Sequence, residues 1–152
     1  MTFSLRCDKR WSYLAAGVAL LLLPAGCGGD QPRVYQAGGK VTLPDGTPLA
    51  GARVEFQPTD NLHLISASGE VQPDGTFELT TFSAGDGAVA GEYRVAVMPP
   101  RPAGDPDEWV GRPPSPIDRR YSSFENSGLR FEVSTLAAEN QFQIVVQPPA
   151  GS

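Results

Sequence analysis

The chain has 152 residues and a formal charge of −5, from 12 Lys and Arg against 17 Asp and Glu. That length suits one domain, and the acidic balance argues against electrostatic capture of nucleic acid or of an anionic lipid surface. One histidine and two cysteines, set far apart, supply no clustered donors for zinc.

The chain opens on an export address. Arg6, Lys9 and Arg10 form a positive region, and Tyr13 to Leu23 (YLAAGVALLLL) is an apolar run broken only by Gly17. The run is short for a mature membrane span and suits the apolar segment of a signal peptide. It ends in Leu23-Pro24-Ala25-Gly26-Cys27. Small residues directly before a cysteine resemble the end of a bacterial lipoprotein signal peptide, although Pro24 stands where that family usually has Leu. The resemblance implies that residues 1–26 are removed and that Cys27 is acylated as the new amino terminus. Several acyl chains on one residue hold firmly to a bilayer, whereas a single chain binds reversibly. Loss of Arg6, Lys9, Arg10 and Asp8 then takes the balance to 9 basic against 16 acidic residues, a formal −7. Cys7 leaves with the signal and Cys27 carries lipid. With no disulfide, the fold has to rest on its apolar core.

Residues 27–37 read as a flexible polar tether. Under the sorting rule of well-studied Gram-negative bacteria, Gly28 after the cysteine implies the outer membrane. The folded domain is expected over 38–147, with 148–152 as a loose tail. Its first stretch, Gly39 to Phe56 (GKVTLPDGTPLAGARVEF), reads as a hairpin. Val41 and Leu43 face inward on one strand, Asp45-Gly46 makes the turn, and Val54 and Phe56 face inward on the next. Lys40 alternates outward.

His63 to Val71 reads as a weak strand, and Pro73-Asp74-Gly75 as a second turn before Phe77 and Leu79. Ser83 to Gly91 is a Gly/Ala loop, and Glu92 to Met98 is the cleanest alternation, with Tyr93, Val95 and Val97 inward. Residues 98–118 form a Pro-rich loop whose seven prolines exclude an interior strand or helix. Leu129/Phe131/Val133 and Phe142/Ile144/Val146 mark two last strands. Seven short strands without a helical period predict an all-β fold, an antiparallel seven-stranded sandwich.

Gly39-x-Val41, Asp45-Gly46-x-Pro48-Leu49 and Gly51-Ala52-x-Val54 resemble carboxypeptidase regulatory-like domains, of the transthyretin (prealbumin)-like, Ig-like group of sandwiches. Asp74-Gly75-x-Phe77-x-Leu79 and Gly91-x-Tyr93-x-Val95 fall where that group has its next strands. With Asp86-Gly87, Tyr121 and Ser127-Gly128-Leu129, the chain looks like a small lipoprotein family abundant in planctomycete-type bacteria. The resemblance implies a fold and no peptidase site.

The residues themselves build no catalytic group. His63 alternates to the face opposite Ser66, and no Gly-x-Ser-x-Gly elbow is present. Asp105, Asp107 and Glu108 match no calcium loop, so neither a metal nor a cofactor is expected. The three Asp-Gly pairs read as turns. A Lys40–Asn140 isopeptide would need a buried lysine, and alternation puts Lys40 outside. Trp109 and Arg112, in the Pro-rich loop, have the composition of a binding hot spot, and Tyr121 follows them; Trp109 could equally fold back to cap the sandwich. The expectation is therefore a non-enzymatic, lipid-anchored sandwich of the cell envelope, facing periplasm or exterior. Its role would be structural or protein-interacting, with an envelope protein or glycan as partner. The alternative is a carbohydrate-binding or accessory domain for a secreted hydrolase.

Overall fold

The computed structural model describes residues 31–60, 64–101 and 114–150. These form nine strands: β1 (Val34–Tyr35), β2 (Gly38–Thr42), β3 (Arg53–Pro58), β4 (Ala67–Glu70), β5 (Thr76–Glu78), β6 (Ala88–Val89), β7 (Gly91–Met98), β8 (Leu129–Val133) and β9 (Gln141–Val145). One sheet has the order β5-β2-β9, the other β4-β3-β7-β8, and β1 pairs with β6 as a short ribbon. The architecture is an all-β sandwich.

Alternation decides what the sheets bury. Val54 and Phe56 of β3, Tyr93, Val95 and Val97 of β7, Phe77 of β5, and Phe142 and Ile144 of β9 are all buried. Glu55, Gln57, Arg94, Gln141 and Gln143, between them in sequence, are exposed or half-buried. Phe56 is completely enclosed. Its ring lies 6.4 Å from Phe77 and 5.5 Å from Phe142 of the three-stranded sheet. On its own sheet it meets Tyr93 at 5.8 Å and Phe131 at 6.2 Å. These separations are those of favourable aromatic pairs.

Three expectations change. β2 and β9 run parallel, with Gly38 opposite Gln141 through Thr42 opposite Val145, so the sandwich is not purely antiparallel. Alternation reports which face a residue takes and is blind to the direction of a neighbour about a hundred residues away. The Gly39–Phe56 stretch is not one hairpin, because β2 and β3 belong to different sheets. Asp45-Gly46 does reverse the chain, with Leu43 N–H bonded to Thr47 O at 2.8 Å and Leu49 N–H to Val41 O at 3.2 Å. Pro48 has no N–H and makes only an isolated bridge to Thr42, so the ladder stops there. Gly51, at φ +74°, then turns the chain across to the opposite sheet, where its N–H meets Val71 O at 2.8 Å.

The third change concerns the stretch read as tether and the strand count. Val34 and Tyr35 form β1 against Ala88 and Val89, and Ala37 is buried. The fold thus begins before residue 38, and the β1–β6 ribbon brings the described strands to nine. The weak strand expected from His63 is confined to Ala67–Glu70, and His63 lies outside the described residues.

Phe56→Ala is expected to cost about 3–5 kcal/mol, the range for an enclosed phenylalanine. Urea denaturation followed by tryptophan or tyrosine emission measures it. A loss below about 1 kcal/mol would mean that the sheets are not joined through this ring.

Candidate functional site

The loop over 98–118 is described at its two ends, 98–101 and 114–118; Trp109, Arg112, Asp105, Asp107, Glu108 and Cys27 lie outside the described residues. The first end continues β7 into Pro99 and Pro100, and Pro100 packs beside the turn at Gly51. The second end is fastened tightly. Ile117 is wholly buried, Asp118 N–H bonds to Gln147 O at 2.9 Å, and Ser115 Oγ donates to Ile117 O at 2.8 Å. Asp118 Oδ1 then accepts from Arg120 N–H at 2.9 Å and caps a 3-10 turn over Arg119–Ser122.

That turn carries Tyr121 inward. The sequence counts Tyr121 among contact residues; in the fold it is 4% exposed and part of the core. Arg120 covers it from outside, with its guanidinium 4.8 Å from the ring centre and Nη2 donating to the hydroxyl at 2.8 Å. A phenol on a capped turn gains more from burial with a satisfied hydroxyl than from solvent. Further on, Ser127 Oγ donates to Val95 O at 2.6 Å and Ser122 Oγ to Val97 O at 3.4 Å. Serines in place of a strand thus complete the edge of β7 beyond β8.

The conspicuous acids serve the backbone. Asp45 Oδ1 accepts from Thr47 N–H at 2.9 Å, and Asp74 Oδ1 from Thr76 N–H at 2.9 Å and Thr76 Oγ1 at 2.6 Å. Gly46 and Gly75 supply the left-handed residues, at φ +85° and +87°. Asp86 does more than close a turn. It accepts from Thr81 N–H at 2.8 Å, Phe82 N–H at 3.0 Å and Ser83 N–H at 2.8 Å, folding residues 81–86 around one carboxylate. Burial acts to raise its pKa, but the bonds from Thr81, Ser83 and Phe82 outweigh it and hold the group below the usual carboxylate range.

Asn140 is a residue whose role sequence reasoning missed. It is fully buried, and its amide saturates three main-chain groups. Oδ1 accepts from Ser134 N–H at 2.8 Å, while Nδ2 donates to Gln36 O at 3.1 Å and Ser134 O at 2.9 Å. The start of the fold is thereby stitched to the β8–β9 connection. A lone Asn before a strand reads as a turn residue, so only the buried partners reveal it. Lys40 stands elsewhere along β2, beside Asp74, whose pKa is lowered chiefly by the bonds from Thr76 and lastly by the Lys40 charge. The isopeptide pair is not brought together.

A surface groove of about 580 Å³ runs between the β4 and β5 edges, lined by Arg53, Ser68, Glu70, Gln72, Thr76 and Glu78. Arg53 Nη2 is taken up by Ser68 Oγ at 2.7 Å and its Nε by Glu55 at 3.4 Å. Tyr93, at the core, donates to Val89 O at 2.8 Å, and burial with the nearby Asp60 charge pushes its pKa up to about 12.

Comparison with protein-family models, curated proteins and solved structures gives no match to the chain.

Asp86, Asp74 and Asp45 all have folded pKa values below their ordinary 3.8. A depressed carboxylate contributes stability that is fully present above its unfolded pKa and is lost as pH falls through the folded value. Urea midpoints should hold steady from neutral pH to about 5 and fall below about 4. Asp86→Asn should be less stable than wild type at pH 7, by about 1–2 kcal/mol as for a lost capping oxygen, and the gap should close toward pH 3. A gap independent of pH would remove the carboxylate charge from the account.

Proposed function

We propose that the chain is a lipid-anchored, non-catalytic β-sandwich module of the cell envelope, with a structural or protein-interaction role. The fold is taken to be of the transthyretin-like, carboxypeptidase regulatory-like kind. What supports this is that two of the motifs behind that resemblance lie on strands: Asp74-Gly75 turns into Phe77 of β5, and Gly91-x-Tyr93-x-Val95 lies along β7. The observation that carries the functional reading is where the polar groups go. Asp45, Asp74 and Asp86 close loops, Asn140 stitches the ends of the fold, and Ser127 finishes a strand edge. Side chains spent on holding the main chain suit a frame that presents something else.

What it presents is the Pro-rich loop, which leaves the fold at Pro100, beside Gly51, and is fastened at its second end by buried Ile117. One fastened end and a high proline content lower the ordering cost of binding, and Trp109 with Arg112 supplies an anchor of hot-spot composition. In this reading Cys27 holds the module on the membrane and the loop meets another envelope protein.

Affinity capture from detergent-solubilised envelopes, with the full chain as bait, tests the role. A defined protein partner should be retained, indifferent to added sugars, and weakened about thirtyfold or more by Trp109→Ala, the scale of a 2 kcal/mol hot spot. Binding of the chain to a glycan array, abolished by the same substitution, would instead favour the carbohydrate-binding accessory role.

A further inference from the structure

The sandwich has four edge strands, and they are not protected alike. β4 carries Glu70 and is tied to Thr80, two residues past β5, by reciprocal Ser68–Thr80 main-chain bonds of 3.0 and 2.8 Å. β5 carries Glu78, and β8 carries Arg130 and Glu132. β9 is different: Gln-Phe-Gln-Ile-Val has no charge, no proline and no glycine, and Val146-Gln147 continues it in the same character. Charges and prolines are the usual devices that keep an edge strand from pairing with another chain. In a mature chain of formal charge −7, this edge lacks both.

The direction in which its main chain points can be read from the ends of the β2–β9 ladder. Gly38 N–H bonds to Asn140 O at 3.0 Å, and Val146 N–H to Thr42 O at 3.0 Å. A strand directs successive residues to opposite sides, so Asn140, Phe142, Ile144 and Val146 face β2, while Gln141, Gln143 and Val145 direct N–H and C=O the other way. Gln147 shares that outer side, and there Asp118 N–H already takes its carbonyl at 2.9 Å. From Gln141 to Val145 no strand of the described residues lies on that side. The side chains of Gln141, Gln143 and Val145 are all exposed, Val145 to 49%.

We propose that the β9 edge is a self-association surface, on which a second copy of this chain adds its own β9 antiparallel about a twofold axis. The register follows from the open groups. Placing the axis at Gln143 sets Gln143 against Gln143 of the second copy and Gln141 against Val145 in both directions. Every outward group from Gln141 to Val145 is then paired. An axis at Phe142 leaves Val145 unpaired, and one at Ile144 needs the Gln147 carbonyl that Asp118 holds. The Gln143 side chains meet at the axis, where two amides can bond to each other and two like charges could not. A second copy fits better than a charged peptide because the strand offers no charge for one to match.

Such an edge is small beside the roughly 1,200 Å² of a stable soluble interface. Pairing is therefore weak in dilute solution and strong where copies are concentrated on a surface. That concentration effect rests on the proposed anchor; the edge geometry does not.

Site-specific disulfide trapping on the full chain tests the register. Gln143→Cys should give a covalent homodimer in membranes under mild oxidation, since directly opposed strand residues lie within disulfide reach. Gln141→Cys alone should not, its copies being about 13 Å apart, while Gln141→Cys with Val145→Cys should restore the link. Wild type, with its native cysteines only, should give no dimer. Purified chain at high concentration should show the same pattern, and Gln143→Lys should abolish dimer sedimentation while leaving the circular dichroism unchanged. Equal trapping at Gln141 and Gln143 would overturn the register. Monomer for folded Gln143→Cys in both settings would overturn the proposal. Trapping in concentrated solution by a chain found unacylated would reject the anchor and keep the edge.

Discussion

Phe56 joins the two sheets. One enclosed ring touches Phe77 and Phe142 on one layer and Tyr93 and Phe131 on the other. Aromatic side chains carry the largest burial per residue, and a short sandwich with no cysteine among its described residues has few other ways to hold its layers together. The remaining structure can be understood as serving that contact. Gly51 turns the chain so that β3 reaches the far sheet, and the parallel β2–β9 pair brings Phe142 under the ring. Gly39 permits that approach, since a Cβ there would run into the carbonyl of Phe142.

Around this apolar centre, polar side chains replace missing ladder partners. Asn140 supplies three bonds where the β1–β2 link and the β8–β9 connection pass each other. Ser127 and Ser122 finish β7 where β8 ends, and Asp86 gathers three amides of a loop that has no strand to pair with. A buried main-chain group left unpaired costs about 1–3 kcal/mol, so each device matters in a fold of ordinary stability. The second end of the Pro-rich loop is held in the same way, by Ser115 and Asp118, which fits the proposal that the sandwich is a frame for that loop.

Much of this was legible in the sequence, and the exceptions have physical reasons. Period-two alternation gave the buried faces of β3, β7 and β9, and the Asp45-Gly46 and Asp74-Gly75 pairs marked turns, because those signals are local. The crossing from Leu49 to Arg53 was hidden because Pro48 ends its ladder only in three dimensions. The parallel partner of β9 was hidden because its strand direction depends on residues far away. Val34 and Tyr35 looked like tether because two residues show no period, and their partners Ala88 and Val89 sit in a Gly/Ala loop. Of the candidate contact residues, Tyr121 turned out to be a core aromatic beneath Arg120. A buried and an exposed tyrosine are written the same way.

Under the proposed function, a frame that presents a loop at the envelope must be held there by its amino terminus. Intact mass spectrometry of the chain extracted from the membrane fraction addresses this directly. The proposed anchoring predicts a species beginning at Cys27, heavier than residues 27–152 by the acyl and glyceryl groups on that residue. A full-length chain with Cys27 unmodified, or a soluble form cleaved elsewhere, would contradict it.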